Sequence, residues 1–265
     1  MSGMQEEITI MNVKFNNVSM QEAVDFVLNN NQKGYLCTPN PEMLLECQNN
    51  APFLDVLNRS LLNIPDGIGI LWAAEQIYNK NSKFKALSEL PFIALAPKRF
   101  KKVLKGRVTG TDLVQEICKK AANSPLKIFF LGAEPGIAEK AAEKLTKKYP
   151  GLKIVGTFAG SPAPEKAQDI INRINVTDPD ILFVAYGAPK QEMWIHEHLH
   201  QLPSVKKAIG IGGAFDFIAG KRTRAPKWMQ KFGLEWLFRL IQQPSRIKRI
   251  FNATIKFPFE VIKQL

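Results

Sequence analysis

Apolar and polar positions alternate along residues 8–15, which predicts a strand or a hairpin. Ser19-Met-Gln-Glu22 follows as a capping box and opens a helix to about Asn30. Residues 35–38 read as a short strand, after which Asn40-Pro41 caps a helix with proline in its first turn. Residues 61–63 form a short buried strand running into Pro65-Asp66-Gly67, and a helix continues to about Tyr78. Residues 79–106 are basic and irregular, with one apolar knot, LPFIALAP. Thr111 is expected to cap a helix to Ala122.

The most regular stretch comes next. Strands are predicted over 127–131, 153–157, 181–185 and 205–211, with helices over 137–149, 164–174 and 191–200 between them. Strands separated by helices of this length imply βαβ units and a mostly parallel sheet buried on both faces. The expected fold class is therefore α/β, a mostly parallel sheet flanked by helices. No internal repeat or low-complexity linker interrupts it.

Composition narrows the class. Of 265 residues, 45% are hydrophobic and 23% charged, which excludes disorder, collagen and coiled coil for the chain as a whole. No apolar run approaches the roughly 20 residues of a membrane span, and the MSGMQEEITI start lacks the features of a signal peptide. Cys37, Cys47 and Cys118 make neither a disulfide framework nor a zinc spacing. These features predict a cytosolic, reduced protein.

Charge changes the picture more. The net charge is +12, and residues 221–265 carry 11 Lys+Arg against Glu235 and Glu260. About three quarters of the net charge thus lies in the last sixth of the chain. That tail also holds Trp228, Phe232, Trp236, Phe238, Phe251, Phe257 and Phe259. Basic and aromatic residues together suit an anionic membrane surface, a nucleic acid, or a packed helical hairpin with a solvated basic face. The composition shift near residue 221 divides the chain into a core, 1–220, and a basic helical C-terminal appendage, 221–265.

Ligands of open α/β sheets bind past the carboxyl ends of the strands. This selects the loops Thr38-Pro-Asn40, Pro65-Asp66-Gly67, Gly132–Gly136 and Gly187–Gln191, with Gly210–Gly213 as a fifth. Glycine-rich turns before helices cradle phosphate, although none is a P-loop or a complete dinucleotide fingerprint. Asp66 follows a buried strand between Pro and Gly. It suits a general base facing the crevice, and equally an N-cap of the next helix. Asp112 reads as a charge in a first helical turn, and Asp216 as either a cap or a ligand contact. His196-Glu197-His198-Leu199-His200 matches a zinc-protease pattern but lacks a third ligand at a usual spacing. Asp178-Pro-Asp180 matches a metal-diphosphate pattern but precedes its strand, at the wrong end of the sheet. No metal or other cofactor is expected, so arginine would supply positive charge to a diphosphate.

The runs TPNPEMLLECQ, PDGIG, RVTGTDLV, FFLGAEPG, LFVAYGAPKQE, GIGGAFDFIAGKRTRAP and GLEWLFRLIQQPSRIKR together resemble the WecG/TagA/CpsF family of bacterial glycosyltransferases over residues 8–252. The resemblance implies a Rossmann-like core with extra helices, the GT-E fold. It implies an inverting, metal-independent transfer of a sugar, N-acetylmannosamine first among candidates, from a UDP-sugar donor. The acceptor would be a polyprenyl-diphosphate-linked sugar, reached from the inner face of the cell membrane in teichoic acid or polysaccharide synthesis. By motif, Asp66 would be the base, Thr38 and Asn40 would line its pocket, Gln191 would hold the donor, and Arg107 would face the substrates. Arg239, Arg246 and Arg249 would close over the diphosphate. The tail would dock on anionic lipid, and a homo-oligomer is compatible with the resemblance. The stretch between PDGIG and RVTG is longer here than the family pattern. Two other classes compete. A basic nucleic-acid-binding protein leaves Asp66 and GAPKQE unexplained. A nicotinamide-dependent oxidoreductase lacks the complete glycine fingerprint and the acid that should follow it.

Overall fold

The computed structural model describes residues 7–95, 97–232 and 234–265. Ala96, Gly233 and the first six residues, on which part of the leader reading rests, lie outside the described residues. The chain opens with a hairpin, β1 (Glu7–Ile10) and β2 (Val13–Asn16), turned by Met11 and Asn12 at positive φ. Helix α1 (Met20–Asn29) starts at the expected capping box: Ser19 accepts from the Glu22 amide, and Glu22 accepts from the Ser19 amide. Strand β3 (Gly34–Cys37) leads into α2 (Pro41–Cys47) and α3 (Ala51–Asn58). Strand β4 (Leu62–Asn63) leads into α4 (Ile68–Tyr78).

The stretch expected to be irregular is ordered. It contains α5 (Lys83–Glu89), α6 (Phe92–Leu95) and a 3-10 turn, Pro97–Phe100. Helix α7 (Gly110–Ala121) is capped by Thr109, two residues before the threonine expected. The remaining βα units are β5 (Lys127–Gly132), α8 (Ile137–Lys148), β6 (Lys153–Phe158), α9 (Ala167–Thr177), β7 (Ile181–Ala185), α10 (Lys190–His198), β8 (Lys207–Gly210) and α11 (Ala214–Ile218). The tail comprises α12 (Lys227–Lys231), α13 (Glu235–Gln242), α14 (Ile247–Phe251), a π turn Asn252–Lys256, and α15 (Phe257–Gln264).

Six strands form one parallel sheet in the order β4-β3-β8-β7-β5-β6. Its side chains alternate between two cores, as a doubly covered sheet requires. Phe129, Leu131, Leu182 and Val184 face α2, α3, α4, α9, α10 and α15. Ile128, Phe130, Ile181 and Phe183 face α1, α7, α8 and α11. Adjacent strands β3 and β8 therefore send their chains to opposite faces, to α2 and α11. This divergence opens a crevice at their carboxyl ends.

The tail does not stand apart from this core. Phe257 and Val261 of α15 are fully buried in the first cluster, and α15 packs on α2, α4 and α5. Residues 221–265 are thus an arm that crosses the carboxyl edge of the sheet and returns to the core. Among the described residues no helix is long and apolar enough to cross a membrane.

Candidate active site

The loops after β3 and β4 are tied by main-chain bonds, and those after β7 and β8 by a side chain. The Asp66 amide donates to Pro39 O at 3.0 Å, and the Val108 amide to Pro65 O at 2.9 Å. These two bonds bring the TPN loop, the PDG turn and the segment carrying Arg107 together. Gln191 ties the other side. Its Oε1 accepts from the amides of Gly187, at 3.1 Å, and Gly212, at 2.9 Å, and its Nε2 donates to Glu192 at 2.7 Å. Gln191 is buried, so its oxygen works on the two loops and sets their spacing.

Asp66 lies at the floor of this crevice. Gly67, with φ +114°, occupies the N-cap position of α4, and no side chain caps that helix. The capping role left open for Asp66 is therefore not the one it plays. Its carboxyl is partly open to solvent, but the protein around it pushes the pKa up from 3.8 to about 6. Burial is the main cause; Arg107 and Arg239 pull the other way, and Glu235 and Asp112 add to the rise. A carboxylate poised near 6 is matched to taking a proton near neutral pH.

Three arginines converge beside it on one buried carboxylate. Glu235, at the start of α13, lies 3.5 Å from Arg107, 3.3 Å from Arg224 and 3.5 Å from Arg239. Arg224 also grips Asp112 with both terminal nitrogens, one of them at 2.8 Å, and Thr109 donates to the same acid at 2.7 Å. Asp112 thus sits in the first turn of α7, as expected, and also anchors the arm. Burial works against its charge, yet the bonds from Arg224 and Thr109 hold its pKa below the usual range. Arg239 lies over the Phe217 ring, 5.0 Å from its centroid, and its buried Nε has no partner among the described residues.

Arg246 makes no ion pair among the described residues. Its pKa is pushed down to about 10 by burial and by the neighbouring Arg249 and Arg239. Such a group, among like charges, is a ready anion site. Arg249 is instead engaged, with two nitrogens on Glu42, one at 2.8 Å. Glu42 lies in the first turn of α2, so this pair latches the arm beside the TPN loop. Asn40 caps α2, accepting from the amides of Glu42 and Met43. Its amide nitrogen has no partner among the described residues. Thr38 is buried at the end of β3.

The two metal-like motifs have structural partners. His196 meets the Tyr35 hydroxyl at 3.1 Å, and His198 packs edge-on against Trp194. Asp180 accepts from the Lys127 amide and pairs with Lys206, and Asp178 pairs with Lys127, all at the amino edge of the sheet. Among the described residues no three His, Cys, Asp or Glu side chains are grouped to hold a metal. Asp216 pairs with Arg222 at 3.8 Å.

Sequence reasoning did not single out Glu42, Glu235, Arg224 or Glu192. Glu192 is fully buried beside Gln191, has one oxygen without a partner, and is pushed up to about 7 by burial. The adjoining Q-E pair was a signal for it, whereas the pairs Arg107–Glu235, Arg224–Asp112 and Arg249–Glu42 join residues more than a hundred positions apart.

The family model described as "Glycosyl transferase WecG/TagA/CpsF family" matches residues 8–90 and 91–265. The chain belongs to this family. It is a glycosyltransferase, and the nucleic-acid-binding and oxidoreductase readings fall away. Among its relatives is a protein of Bacillus subtilis strain 168 that is 30% identical over 265 residues, covering 98% of this chain and 93% of the relative. A second, from Bacillus spizizenii, is 30% identical over 236 residues, covering 89% and 81%. Both carry the name N-acetylglucosaminyldiphosphoundecaprenol N-acetyl-beta-D-mannosaminyltransferase. The resemblance read from the sequence motifs is the family the full comparison returns, and the six-stranded parallel sheet fits the expected Rossmann-like core.

Proposed function

We propose that this glycosyltransferase moves N-acetylmannosamine from a UDP-linked donor to an N-acetylglucosamine carried on a polyprenyl diphosphate. The observation that carries the reading is the placement of a high-pKa carboxylate, Asp66, beside a cluster of arginines at the mouth of a parallel sheet. The activity named for the two relatives supports the sugar and the acceptor.

The chemistry is a single displacement with inversion. The acceptor hydroxyl forms a bond to the anomeric carbon as the bond to the nucleoside diphosphate breaks. Asp66 accepts the hydroxyl proton, a contribution of about 10²–10⁴ in rate. The leaving diphosphate takes the bonding electron pair, and Arg107, Arg239 and Arg246 stabilise the charge it gains. Gln191 serves the donor by fixing the spacing of the Gly187 and Gly212 loops. Thr38 and Asn40 line the acceptor side. Arg249 acts through its latch on Glu42 and brings the arm over the site.

The arm also supplies the membrane contact. Ile247, Phe251, Ile255 and Phe259 recur every four residues along α14, the π turn and α15, and all are exposed. Lys248, Lys256 and Lys263 flank them. An apolar stripe edged by lysines suits an anionic leaflet, with each basic residue worth about 1 kcal/mol near the surface. The protein would then work from the cytoplasmic face.

The test is transfer of radiolabelled sugar from UDP-N-acetylmannosamine to a short-chain polyprenyl-diphosphate N-acetylglucosamine, run beside UDP-glucose, UDP-glucuronic acid and UDP-N-acetylmannosaminuronic acid. Preferred use of the first donor supports the reading. Preferred use of another donor refutes the sugar assignment, and no transfer from any of them refutes the donor class.

A further inference from the structure

The segment between α4 and α7 has a distinct inner and outer face. Its inner face is firmly held. Ala86 is fully buried, and Glu89 accepts from Gln76 at 2.8 Å and pairs with Arg99 at 3.3 Å. Glu75 accepts the amides of Lys102, at 2.6 Å, and Val103, at 3.0 Å. The outer face of α5 has the opposite character. Phe84 is 83% exposed and Leu87, three residues on, is 49% exposed. Lys80, Lys83 and Lys85 surround them, all exposed. Phe84 and Leu87, at i and i+3, thus form a small apolar patch rimmed by lysines on a rigidly anchored helix.

Helix α5 packs directly against α15, the end of the arm, where Phe259 is half exposed and Lys256 and Lys263 lie nearby. We propose that α5 forms a second foot of the membrane-docking surface, inserting Phe84 and Leu87 into an anionic leaflet while Lys80, Lys83 and Lys85 meet the lipid headgroups. This inference rests on the reading that the arm docks on lipid. The partner is lipid and not a second copy of this chain, because a symmetric pairing of this face would set its lysines against one another. A phosphate-bearing bilayer matches both the charge and the apolar stripe. With two contacts on separate elements, the crevice is held at a fixed height and tilt over the leaflet, where a single amphipathic helix would leave it free to roll.

The experiment uses the full chain and co-sedimentation with phosphatidylglycerol-containing vesicles, against vesicles of phosphatidylcholine alone. Phe84→Ser with Leu87→Ser should weaken binding about tenfold or more. Lys83→Gln with Lys85→Gln should weaken it in a salt-sensitive way, about fivefold per lysine. Both double variants should keep wild-type turnover on a short-chain soluble acceptor, which shows that they are folded. Phe251→Ser with Phe259→Ser reports on the arm alone. If the arm variant is released while the Phe84/Leu87 variant binds as wild type, α5 is no foot and the arm reading stands. If neither is released, the arm reading fails and this inference with it. If light scattering without lipid shows a dimer that Phe84→Ser converts to monomer, the face joins two copies and the lipid proposal is overturned.

Discussion

Asp66→Asn separates the two consequences of a carboxylate held for catalysis. The raised pKa means that the folded protein binds the Asp66 proton more tightly than the unfolded chain does. The stability this represents is complete below the unfolded value, 3.8, and is lost as pH rises through about 6. At about 1.4 kcal/mol per pH unit, the ceiling of that loss is about 3 kcal/mol. Water reaching the open side of the carboxyl reduces it, to about 1–2 kcal/mol. Asparagine keeps the shape and carries no charge. Urea unfolding at about pH 8 should therefore find Asp66→Asn more stable than wild type by that amount. The gap should narrow between about pH 6 and pH 4 and close below. Turnover should move the other way, falling at least about 100-fold, because an amide cannot take the acceptor proton. Donor binding should change little. A variant no more stable than wild type at pH 8, or a stability gap that stays flat down to pH 4, would refute the strained-carboxylate argument. Retention of near-wild-type turnover would remove Asp66 as the base.

Wild-type kcat/KM should rise with pH through about 6 as Asp66 loses its proton, and a profile flat from pH 5 to 8 contradicts its role. Arg246→Ala with Arg249→Ala should cut transfer even to a short-chain acceptor. Glu42→Gln, which loosens only the Arg249 latch, should cost less in the same assay; equal losses would place the whole effect in the latch. Transfer should persist in excess EDTA, because the histidine and aspartate motifs are engaged in packing; loss that Mg²⁺ or Mn²⁺ restores would overturn the metal-independent scheme.

Local chemistry was readable wherever a feature depends on neighbours in sequence. Asn40 before Pro41 and Ser19 before Glu22 cap helices as their spacing requires. The alternation of β5 and β7 between two apolar cores follows from uninterrupted apolar runs. Asp66 stood out because Pro65 and Gly67 stiffen its turn. The misplaced cap of α7 was also local: Thr109 and Asp112 have the spacing of a capping pair, and Thr111 two residues later obscured it. Helices α5 and α6 escaped notice because neither the lysine-rich stretch nor LPFIALAP shows a helical period, and α5 is tied to α4 by the bond of Gln76 to Glu89. The arginine cluster was visible only in part. Arg107 and Arg239 carry motifs, but their convergence with Arg224 on Glu235 is decided by how the arm crosses the sheet. Composition alone suggested an appendage, and only packing shows Phe257 and Val261 returning to the core.

The strand order has a consequence for when the site comes into being. The crevice lies over the seam between β3 and β8, where Gly34 pairs with Lys207 and Lys33 reaches Leu202, 169 positions away. Closing a loop of that size costs about 4–5 kcal/mol of chain entropy before any contact repays it. The β5–β6–β7 half and the β3–β4 pair can each form from nearer pairings, whereas the two are joined only by β8, which is made later than either. A chain still emerging from the ribosome therefore holds the Asp66 turn and the Gly212 loop on two separate pieces. The site is thus incomplete until β8 docks beside β3, and in refolding the crevice should be among the last regions to gain hydrogen-exchange protection.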